Sequence, residues 1–349
     1  MMDIKPVIKR GIKRIIHGGA NTLGYEIIWR RQRPTLTLQS FEARPTVLSK
    51  EQIDAFANSA VDPDYWRRLN PELSIDGIVE RSAGLDTECL EPKEIDEQIG
   101  KLRSEGYFQT RPVLSRPTID KMRACVERLR REGWLPTFSF VYDEFWDVVG
   151  VSSLTEILTE FLSAEYRLGP QLFFAYYVLP RKGASGWAPH CDTGGESRLT
   201  VWIPLSDATV ENGCMYLIPQ DRVSSAGLND FWSRGYVTKN ELSVLLWSTK
   251  ALPAPAGSLL GWNSNMVHWG SMASDSAHPR ISISFEFVGA GAKPKPHELP
   301  LFDLPRRCSF SQRIQLIGQA ILAYHGYEPL NPVYKELAKL LKARGPVFA

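Results

Sequence analysis

The spacing of apolar residues predicts two helices ahead of a series of shorter apolar runs. Residues 93–105 and 117–132 both repeat apolar positions every three or four residues, which is typical of an amphipathic helix. The predicted apolar faces consist of Ile95, Ile99 and Leu102 in the first helix and of Ile119, Met122, Val126 and Leu129 in the second. Gly106 and Gly133 follow these segments, and glycine is common just after the end of a helix. We expect a short strand to begin at Tyr107.

From about residue 170, short apolar runs alternate with turn signals. The runs read LFFAYYVL, LTVWIPL, CMYLIP, SLLGW and ISISFEFV. Strands at such close intervals predict a β-barrel or sandwich. Asn212-Gly213 lies between two of the runs and predicts a hairpin turn, because both residues tolerate a positive φ. After residue 310 the apolar spacing becomes helical again. The predicted fold class is therefore mainly β with flanking helices (α+β).

These patterns divide the chain into three parts. Residues 1–92 form an N-terminal extension, within which 33–90 are expected to be irregular because they are rich in Pro, Asp and Arg. Residues 93–300 form the β-rich domain. An insertion at about 222–256 interrupts that domain, and we expect it to lie over the mouth of the barrel. Residues 301–349 form a C-terminal helical extension.

Residues 4–17 combine an apolar stripe at helical spacing with several lysines and arginines. Two interpretations of this basic amphipathic pattern are open. One is a helix that lies on a membrane surface, which would give the protein a peripheral membrane contact. The other is a helix docked on the core of the protein itself.

Composition and charge exclude several classes of protein. The net charge of +2 over 349 residues gives no overall electrostatic signature for nucleic acid. The five cysteines are odd in number and form no C-x-x-C pair, which argues against a disulfide framework or a zinc ribbon. No run of about 18 apolar residues could cross a bilayer, and no signal-peptide pattern is seen. We therefore expect a cytoplasmic protein, attached at most to a membrane surface.

A histidine and a carboxylate two positions apart point to a metal centre. Side chains two residues apart on a strand project in the same direction, so His190 and Asp192 can reach one metal. His268, just after the run SLLGW, is the candidate third ligand, and His278 is held in reserve. Two imidazoles and one carboxylate form a facial triad that leaves three positions open on Fe(II). Dioxygen and a bidentate co-substrate require those positions. The H-x-D pair alone is a weak signal, and the prediction rests on its combination with His268 and with the arginine that follows it.

An arginine beyond the third ligand supplies a cation for the co-substrate. Arg280 lies twelve residues after His268 at the start of ISISFEFV, and it can pair bidentately with the distal carboxylate of 2-oxoglutarate. Ser282 is on the same strand face and can donate a hydroxyl to that carboxylate. Trp202 and Tyr177 lie on flanking strands, where they either line the 2-oxoglutarate pocket or pack in the core.

Three further residues near the predicted ligands allow two interpretations each. Asn263 and Asn265 precede His268, and they either orient its ring or cap a turn. Trp187 either forms a wall of the substrate pocket or packs its own loop.

Several segments resemble the phytanoyl-CoA dioxygenase family of double-stranded β-helix oxygenases. The resemblance is carried by His190-Cys191-Asp192, the segments 199–208, 211–219, 256–260 and 268–271, Arg280 and, upstream, Glu105-Gly106-Tyr107-Phe108. It runs from about residue 95 to residue 290. Two positions depart from the family pattern. Gln220-Asp221-Arg222 stands where Gly-Ser-His is frequent, and Cys191 stands where Gln is common, so the resemblance does not fix the substrate.

This resemblance implies a jelly-roll core and an enzyme that uses Fe(II), 2-oxoglutarate and O2. Such an enzyme converts 2-oxoglutarate to succinate and CO2 while it hydroxylates an unactivated C–H bond. The expected substrate is a small molecule, a natural product or a lipid-linked compound. The presence of Asp192 favours hydroxylation or desaturation over halogenation, because related halogenases lack this carboxylate.

Two other functions remain open on the sequence. A metal-binding, cupin-like isomerase or hydrolase would use the three ligands and would not need Arg280. A non-catalytic small-molecule binding module would usually have lost one of the ligands, and none is missing here. The sequence does not indicate an oligomeric state.

Overall fold

The fold is described from a computed structural model of the chain. The structure describes residues 27–28, 50–75, 85–192, 197–274, 278–292, 302–303, 308–324 and 332–343. The predicted membrane-surface segment, residues 4–17, lies outside these described residues.

Helices lie before, between and after the main strands in sequence. The helices are α1 (Lys50–Ala60), α2 (Pro63–Leu69), α3 (Pro92–Glu105), α4 (Arg116–Arg131), α5 (Asp143–Asp147), α6 (Ser152–Leu162), α7 (Gln220–Ser225), α8 (Phe231–Arg234), α9 (Lys239–Ser248), α10 (Phe310–Tyr324) and α11 (Pro332–Lys342). The strands are β1 (Ile27–Ile28), β2 (Tyr107–Pro112), β3 (Arg167–Val178), β4 (Arg198–Pro204), β5 (Met215–Leu217), β6 (Tyr236–Val237), β7 (Lys250–Leu252), β8 (Ser258–Asn263), β9 (His268–Gly270), β10 (Arg280–Val288) and β11 (Phe302–Asp303). Two short 3-10 helices, Pro136–Val141 and Val148–Gly150, lie on either side of α5.

Two antiparallel sheets form the jelly roll that the sequence predicts. The large sheet has the strand order β11-β3-β10-β4-β8-β2, and the small sheet has the order β7-β5-β9. Trp202 and Trp262 of the large sheet share one apolar cluster with Met215 and Leu252 of the small sheet. The two sheets therefore pack face to face, as in a sandwich. Fold class and jelly-roll core agree with the sequence prediction.

Strand β10 separates the site from the main core. Its apolar residues Ile281, Ile283, Phe285 and Phe287 belong to the main core together with residues of the flanking helices. The residues in between project to the opposite face, toward the small sheet, as expected for a strand. These polar residues are Arg280, Ser282, Ser284 and Glu286. One face of the strand thus builds the core while the other brings polar groups to the interior of the barrel.

The N-terminal extension is more regular than predicted. Residues 33–90 were expected to be irregular, but α1 and α2 lie within them. Asp62 caps α2 by accepting a hydrogen bond from the Asp64 main-chain N–H, and Pro63 occupies the first turn. Trp66 is fully buried and donates its indole N–H to the Ala60 carbonyl at 2.9 Å. The Pro and Asp residues that suggested a loop in fact begin a helix.

The Asn212-Gly213 turn does not close a hairpin. It joins β4 to β5, which lie in different sheets, so the chain crosses between the sheets at this point. Gly213 has a φ of +84°, whereas Asn212 does not adopt a positive φ. The Asn212 side chain instead accepts from the Thr209 N–H at 2.8 Å and donates to the Asp207 carbonyl at 2.7 Å.

The predicted insertion and the C-terminal extension both contain helices. The predicted insertion at 222–256 contains α8, β6, α9 and β7, and an apolar cluster of its own includes Val267, next to His268. In the C-terminal extension, the buried Arg313 of α10 pairs with the buried Asp143 of α5. Within the described residues, no helix has both the length and the apolar composition needed to cross a bilayer.

Candidate active site

The chain brings His190, Asp192 and His268 together between the two sheets. The main chains of His190 and His268 exchange two hydrogen bonds, each of 3.0 Å, which extends the small sheet by one bridge. Asp192 Oδ1 lies 3.5 Å from His190 Nε2 and 3.6 Å from His268 Nε2. One potential ligand atom from each of the three residues lies within 4.8 Å of the others. Three donor atoms of the types predicted from the sequence therefore share one small volume.

Main-chain carbonyls set the orientation of both imidazoles. Nδ1 of His190 lies 2.8 Å from the Ala188 carbonyl, and Nδ1 of His268 lies 3.0 Å from the Met266 carbonyl. A carbonyl oxygen can only accept, so each Nδ1 carries the proton. Each Nε2 is left with its lone pair facing the centre, which is the arrangement found in metal-bound histidines.

Two neighbours hold the remaining oxygen of Asp192. Thr200 of β4 donates its hydroxyl to Asp192 Oδ2 at 2.7 Å, and Trp262 of β8 donates its indole N–H to the same oxygen at 3.1 Å. Oδ1 therefore faces the two imidazoles. Two residues of the large sheet thus fix the carboxylate of Asp192, which lies in the loop before β4.

Burial and nearby charges have opposite effects on the pKa values of His190, Asp192 and His268. Burial alone would raise the pKa of Asp192, but the attraction of His268 and His190 and the Thr200 hydrogen bond hold that pKa well below its usual range. Burial lowers the pKa of His268 to about 4, even though Asp192 lies nearby. Burial also opposes a charge on His190, but contact with Asp192 leaves the pKa of His190 raised. Asp192 is therefore an anion and His268 a neutral base, the states that metal ligands require.

The three residues fit a divalent iron ion. His190 Nε2 is buried and makes no hydrogen bond to any described residue, although an unpaired buried nitrogen is costly. Two imidazoles and one carboxylate on one side of the site match the facial set that suits Fe(II) and leaves positions for other ligands. A bound cation would give the lone pair of His190 a partner.

Arg280 provides a buried cation in the same pocket, with no anionic partner among the described residues. It is 3% exposed at the start of β10, and burial lowers its pKa to about 10. Nη1 has only a 3.5 Å contact with the sulfur of Met215, and Nε has no hydrogen-bond partner among the described residues. A buried guanidinium without an anion is unfavourable. The pocket is therefore complementary to a ligand that brings a carboxylate.

Two glycines that the sequence analysis did not single out lie against this guanidinium. A Cβ on Gly186 would lie 2.7 Å from Arg280 Nη2, and a Cβ on Gly270 would lie 2.9 Å from Arg280 Nη1. The two glycines also approach each other, because a Cβ on either would lie 2.7 Å from the Cα of the other. Both lie near predicted ligands in sequence, but the contact depends on how the loop and β9 come together.

Three of the four residues predicted to contact the co-substrate line the pocket, and one does not. Ser282 and Trp202 line the pocket together with Arg280. Tyr177 does not line the pocket, which contradicts the pocket role expected for it and agrees with the other interpretation, packing in the core. Its side chain packs against the main core on the other face of β3, with the Arg130 guanidinium 4.2 Å from its ring centre. The adjacent Tyr176 faces the pocket instead, with the Arg280 guanidinium 5.9 Å from its ring.

The residues with two open interpretations are also placed. Asn263 caps a turn, since it accepts a hydrogen bond from the Asn265 N–H at 3.1 Å, while the Met266 carbonyl orients His268. Trp187 lines the pocket, and its ring centre lies 5.6 Å from that of His190.

Further pocket residues come from parts of the chain that sequence reasoning left aside. Phe174 of β3 and Tyr324 at the end of α10 line the pocket with Trp187. Glu286 of β10 also faces it and is paired with the buried Arg198. The space between these residues, counted together with the open solvent at its mouth, is about 700 Å³.

Comparisons with known proteins agree with this site. The family profile described as phytanoyl-CoA dioxygenase (PhyH) matches residues 102–282, just over half of the chain. A search of the curated proteins finds no match. Among similar solved structures are two enzymes of nogalamycin biosynthesis, the epimerase SnoN and the carbocyclase SnoK. SnoN is 18% identical, with 62% of this chain and 96% of that chain covered and a TM-score of 0.45. SnoK is 22% identical, with 61% and 90% covered and a TM-score of 0.45. AviO1 from Streptomyces viridochromogenes Tue57 is 18% identical, with 62% and 100% covered and a TM-score of 0.43.

The family match covers the part of the chain that builds the site. All the residues predicted as metal ligands or co-substrate contacts, from Tyr177 to Ser282, lie inside the matched segment. The pocket holds three donors that could bind a metal and the buried guanidinium of Arg280, and enzymes of this family depend on Fe(II) and 2-oxoglutarate. The chain therefore belongs to the phytanoyl-CoA dioxygenase family of Fe(II)- and 2-oxoglutarate-dependent non-haem enzymes.

Proposed function

We propose that this enzyme hydroxylates an unactivated C–H bond of a small-molecule, natural-product or lipid-linked substrate, with release of succinate and CO2. The observation that carries the proposal is the complete set of three donor atoms within 4.8 Å at His190, Asp192 and His268. Asp192 occupies the position that would have to be vacant for a halide ligand, and Thr200 and Trp262 hold it there. This arrangement favours transfer of a hydroxyl group to the substrate over halogenation.

The residues at the centre of the pocket have different roles in this proposal. His190, Asp192 and His268 hold the iron, and Arg280 pairs with the distal carboxylate of 2-oxoglutarate, with Ser282 donating its hydroxyl alongside. Trp202 packs beside this ion pair, with the Arg280 guanidinium 5.8 Å from its ring. When bound, Fe(II) supplies the site at which dioxygen is activated as 2-oxoglutarate is decarboxylated.

The protein itself contributes orientation and exclusion of water. His268 and Arg280 are each 3% exposed, so their interactions with ligands take place in a region of low dielectric constant. The Ala188 and Met266 carbonyls keep both imidazoles in the tautomer that presents Nε2 to the centre. The ligands are thus preorganised before iron or 2-oxoglutarate binds.

A peripheral membrane contact through residues 4–17 belongs to the proposal for a lipid-linked substrate. Support comes from the basic amphipathic pattern of this segment. Sedimentation with vesicles of phosphatidylcholine and phosphatidylserine would test it. The contact is supported if the wild-type protein sediments with the vesicles and a variant with Lys9→Glu and Lys13→Glu does not. It is contradicted if the wild-type protein does not sediment with them.

The test of the reaction begins with succinate release. Protein purified without oxygen receives Fe(II), 2-oxoglutarate and ascorbate and is then exposed to air. We expect slow, iron-dependent succinate formation that Asp192→Ala and Arg280→Ala abolish. The exposed residues Asp96 and Arg131 provide matched controls, because Asp96→Ala and Arg131→Ala remove the same groups far from the pocket. Binding of Fe(II) and 2-oxoglutarate is measured on the same samples by calorimetry.

Hydroxylation itself is tested with labelled oxygen. Compounds that accelerate succinate release are incubated with the enzyme under 18O2, and the products are weighed by mass spectrometry. A product heavier by one 18O atom supports hydroxylation. A product that has lost two hydrogens would show that the reaction is desaturation. A product isomeric with its substrate would show that it is epimerisation. A protein that binds neither Fe(II) nor 2-oxoglutarate would refute the assignment of the ligands.

A further inference from the structure

One side of the pocket is a continuous wall of aromatic rings. The ring centres of Phe174 and Tyr324 lie 4.7 Å apart, those of Trp187 and Tyr324 lie 5.1 Å apart, and those of Phe174 and Trp187 lie 5.7 Å apart. Each of the three rings therefore contacts the other two, at tilted angles of 41° to 54°. These distances lie in the range in which aromatic pairs attract one another. We call Phe174, Trp187 and Tyr324 the aromatic wall.

The wall draws on three separate parts of the fold. Phe174 lies on the pocket face of β3, and Trp187 lies in the loop that leads to His190. Tyr324 is the last residue of α10, which belongs to the C-terminal extension and lies outside the matched segment 102–282. Helix α10 packs on β3, and its last residue thereby reaches Phe174.

The wall has a task that neither the iron site nor the 2-oxoglutarate site supplies. Trp187 stands 5.6 Å from the ring of His190, which places the wall beside the reacting centre. The co-substrate residues Arg280 and Ser282 lie further along β10, on the strand positions opposite Val178 and Tyr176. Phe174 is paired with Ser284, the next inward position of β10. The wall thus flanks the part of the pocket that is left to the substrate.

The chemistry of this lining selects for shape as well as for apolar character. The larger apolar side chains lining the pocket are aromatic, with Met215 as the aliphatic exception among the described residues. Rigid flat rings make good contact with another flat ring, whose edges and faces complement theirs. A saturated, puckered ring or a flexible alkyl chain cannot stack in this way. From this we infer that the enzyme binds a planar, ring-bearing substrate against Phe174, Trp187 and Tyr324, and that Tyr324 is a specificity-determining residue.

This inference rests on the proposed function, in which the pocket holds an organic substrate, and it narrows the substrate class. The test compares two probes with the same carbon skeleton and hydroxyl group, 2-naphthol and decahydro-2-naphthol. The first is flat and aromatic, and the second is saturated and more apolar. Equilibrium dialysis measures the affinity of both, with the complete protein loaded with Fe(II) and 2-oxoglutarate under nitrogen and with the metal-free protein.

We expect 2-naphthol to bind about tenfold more tightly than its saturated analogue, as several aromatic contacts together would give. Tyr324→Leu should remove most of this preference, and Tyr324→Phe should keep it because the ring remains. Trp247→Leu is the matched surface control, since Trp247 is 83% exposed and is not part of the pocket lining. Circular dichroism melting curves of all variants establish that they are folded.

Opposite results would overturn the inference. A pocket that responds only to apolar character would bind decahydro-2-naphthol as well as 2-naphthol or better. An unchanged preference in Tyr324→Leu would remove Tyr324 from the substrate site, and the absence of saturable 2-naphthol binding would remove the planar substrate class. Failure of the proposed function looks different, because Fe(II) and 2-oxoglutarate would then not bind while the preference for 2-naphthol persists in the metal-free protein.

Discussion

Replacing Thr200 with valine tests whether its hydroxyl holds Asp192 in place as a ligand. Thr200 donates to Asp192 Oδ2 at 2.7 Å, and in Thr200→Val this donor is replaced by a methyl group of similar size. A hydrogen bond to a charged group contributes about 1.5–3 kcal/mol, which corresponds to about 10- to 150-fold in an equilibrium constant. Trp262 still donates to the same oxygen at 3.1 Å, so part of the orientation remains. We therefore expect Fe(II) to bind about 10- to 30-fold more weakly, as for other residues that orient metal ligands.

The assay is anaerobic calorimetry of Fe(II) binding to the wild type, Thr200→Val and Thr200→Ser. Serine keeps the hydroxyl and should restore most of the affinity, whereas valine suits the strand and should keep the fold intact. Thermal melting of the three metal-free proteins separates a loss of fold from a loss of metal. An unchanged Fe(II) Kd in Thr200→Val, or an equal loss in Thr200→Ser, would refute the reasoning that the hydroxyl orients Asp192.

Three further substitutions probe the co-substrate site and the C-terminal extension. Arg280→Lys keeps the charge but loses the planar fork, and we expect calorimetry to show about tenfold or greater weakening of 2-oxoglutarate binding, with Fe(II) binding retained. Gly270→Ala places a Cβ 2.7 Å from the Cα of Gly186 and 2.9 Å from Arg280 Nη1, so the guanidinium must move and the same assay should show weaker 2-oxoglutarate binding. Equal affinity would mean that Gly186 and Arg280 can shift without loss of the carboxylate contact. Asp143→Asn leaves the buried Arg313 without its anion and should lower the free energy of unfolding in urea by about 3–5 kcal/mol, while a change near zero would show that the ion pair does not stabilise the extension.

The candidate metal ligands and Arg280 meet in one pocket, and the sequence indicates this because polar residues interrupt apolar strands at regular spacing. On β10 the inward residues are polar and the outward residues are apolar, so the sequence alone shows which face each residue occupies. His190 and Asp192 follow the same rule of alternate positions. Their meeting with His268 depends on a main-chain bridge between distant segments, which strand spacing alone does not predict.

Tyr177 shows why alternation alone can fail. Both faces of β3 are covered, and the adjacent residues Tyr176 and Tyr177 are both aromatic, so neither hydropathy nor spacing reveals which one turns inward. The pairing with β10 decides it. Ser282 is the Cα partner of Tyr176, and partners on adjacent strands project to the same face. Since Arg280 and Ser282 face the pocket, Tyr176 must do so as well, and the neighbouring Tyr177 faces the core, which is one of the two interpretations that the sequence left open.

Tyr324 shows a second kind of limit, set by tertiary packing and not by pattern. The apolar stripe of α10 runs through Ile314, Ile317 and Ile321, and the same three- and four-residue spacing continues to Tyr324. The stripe alone therefore predicts a buried side chain. Its contact with the pocket, and not only with the main core, arises because α10 packs on β3 and brings the half-buried Tyr324 against Phe174. A helix outside the family match can thus alter the substrate pocket while the ligands of the metal stay where the strands put them, which is how a conserved reaction chemistry becomes compatible with a change of substrate.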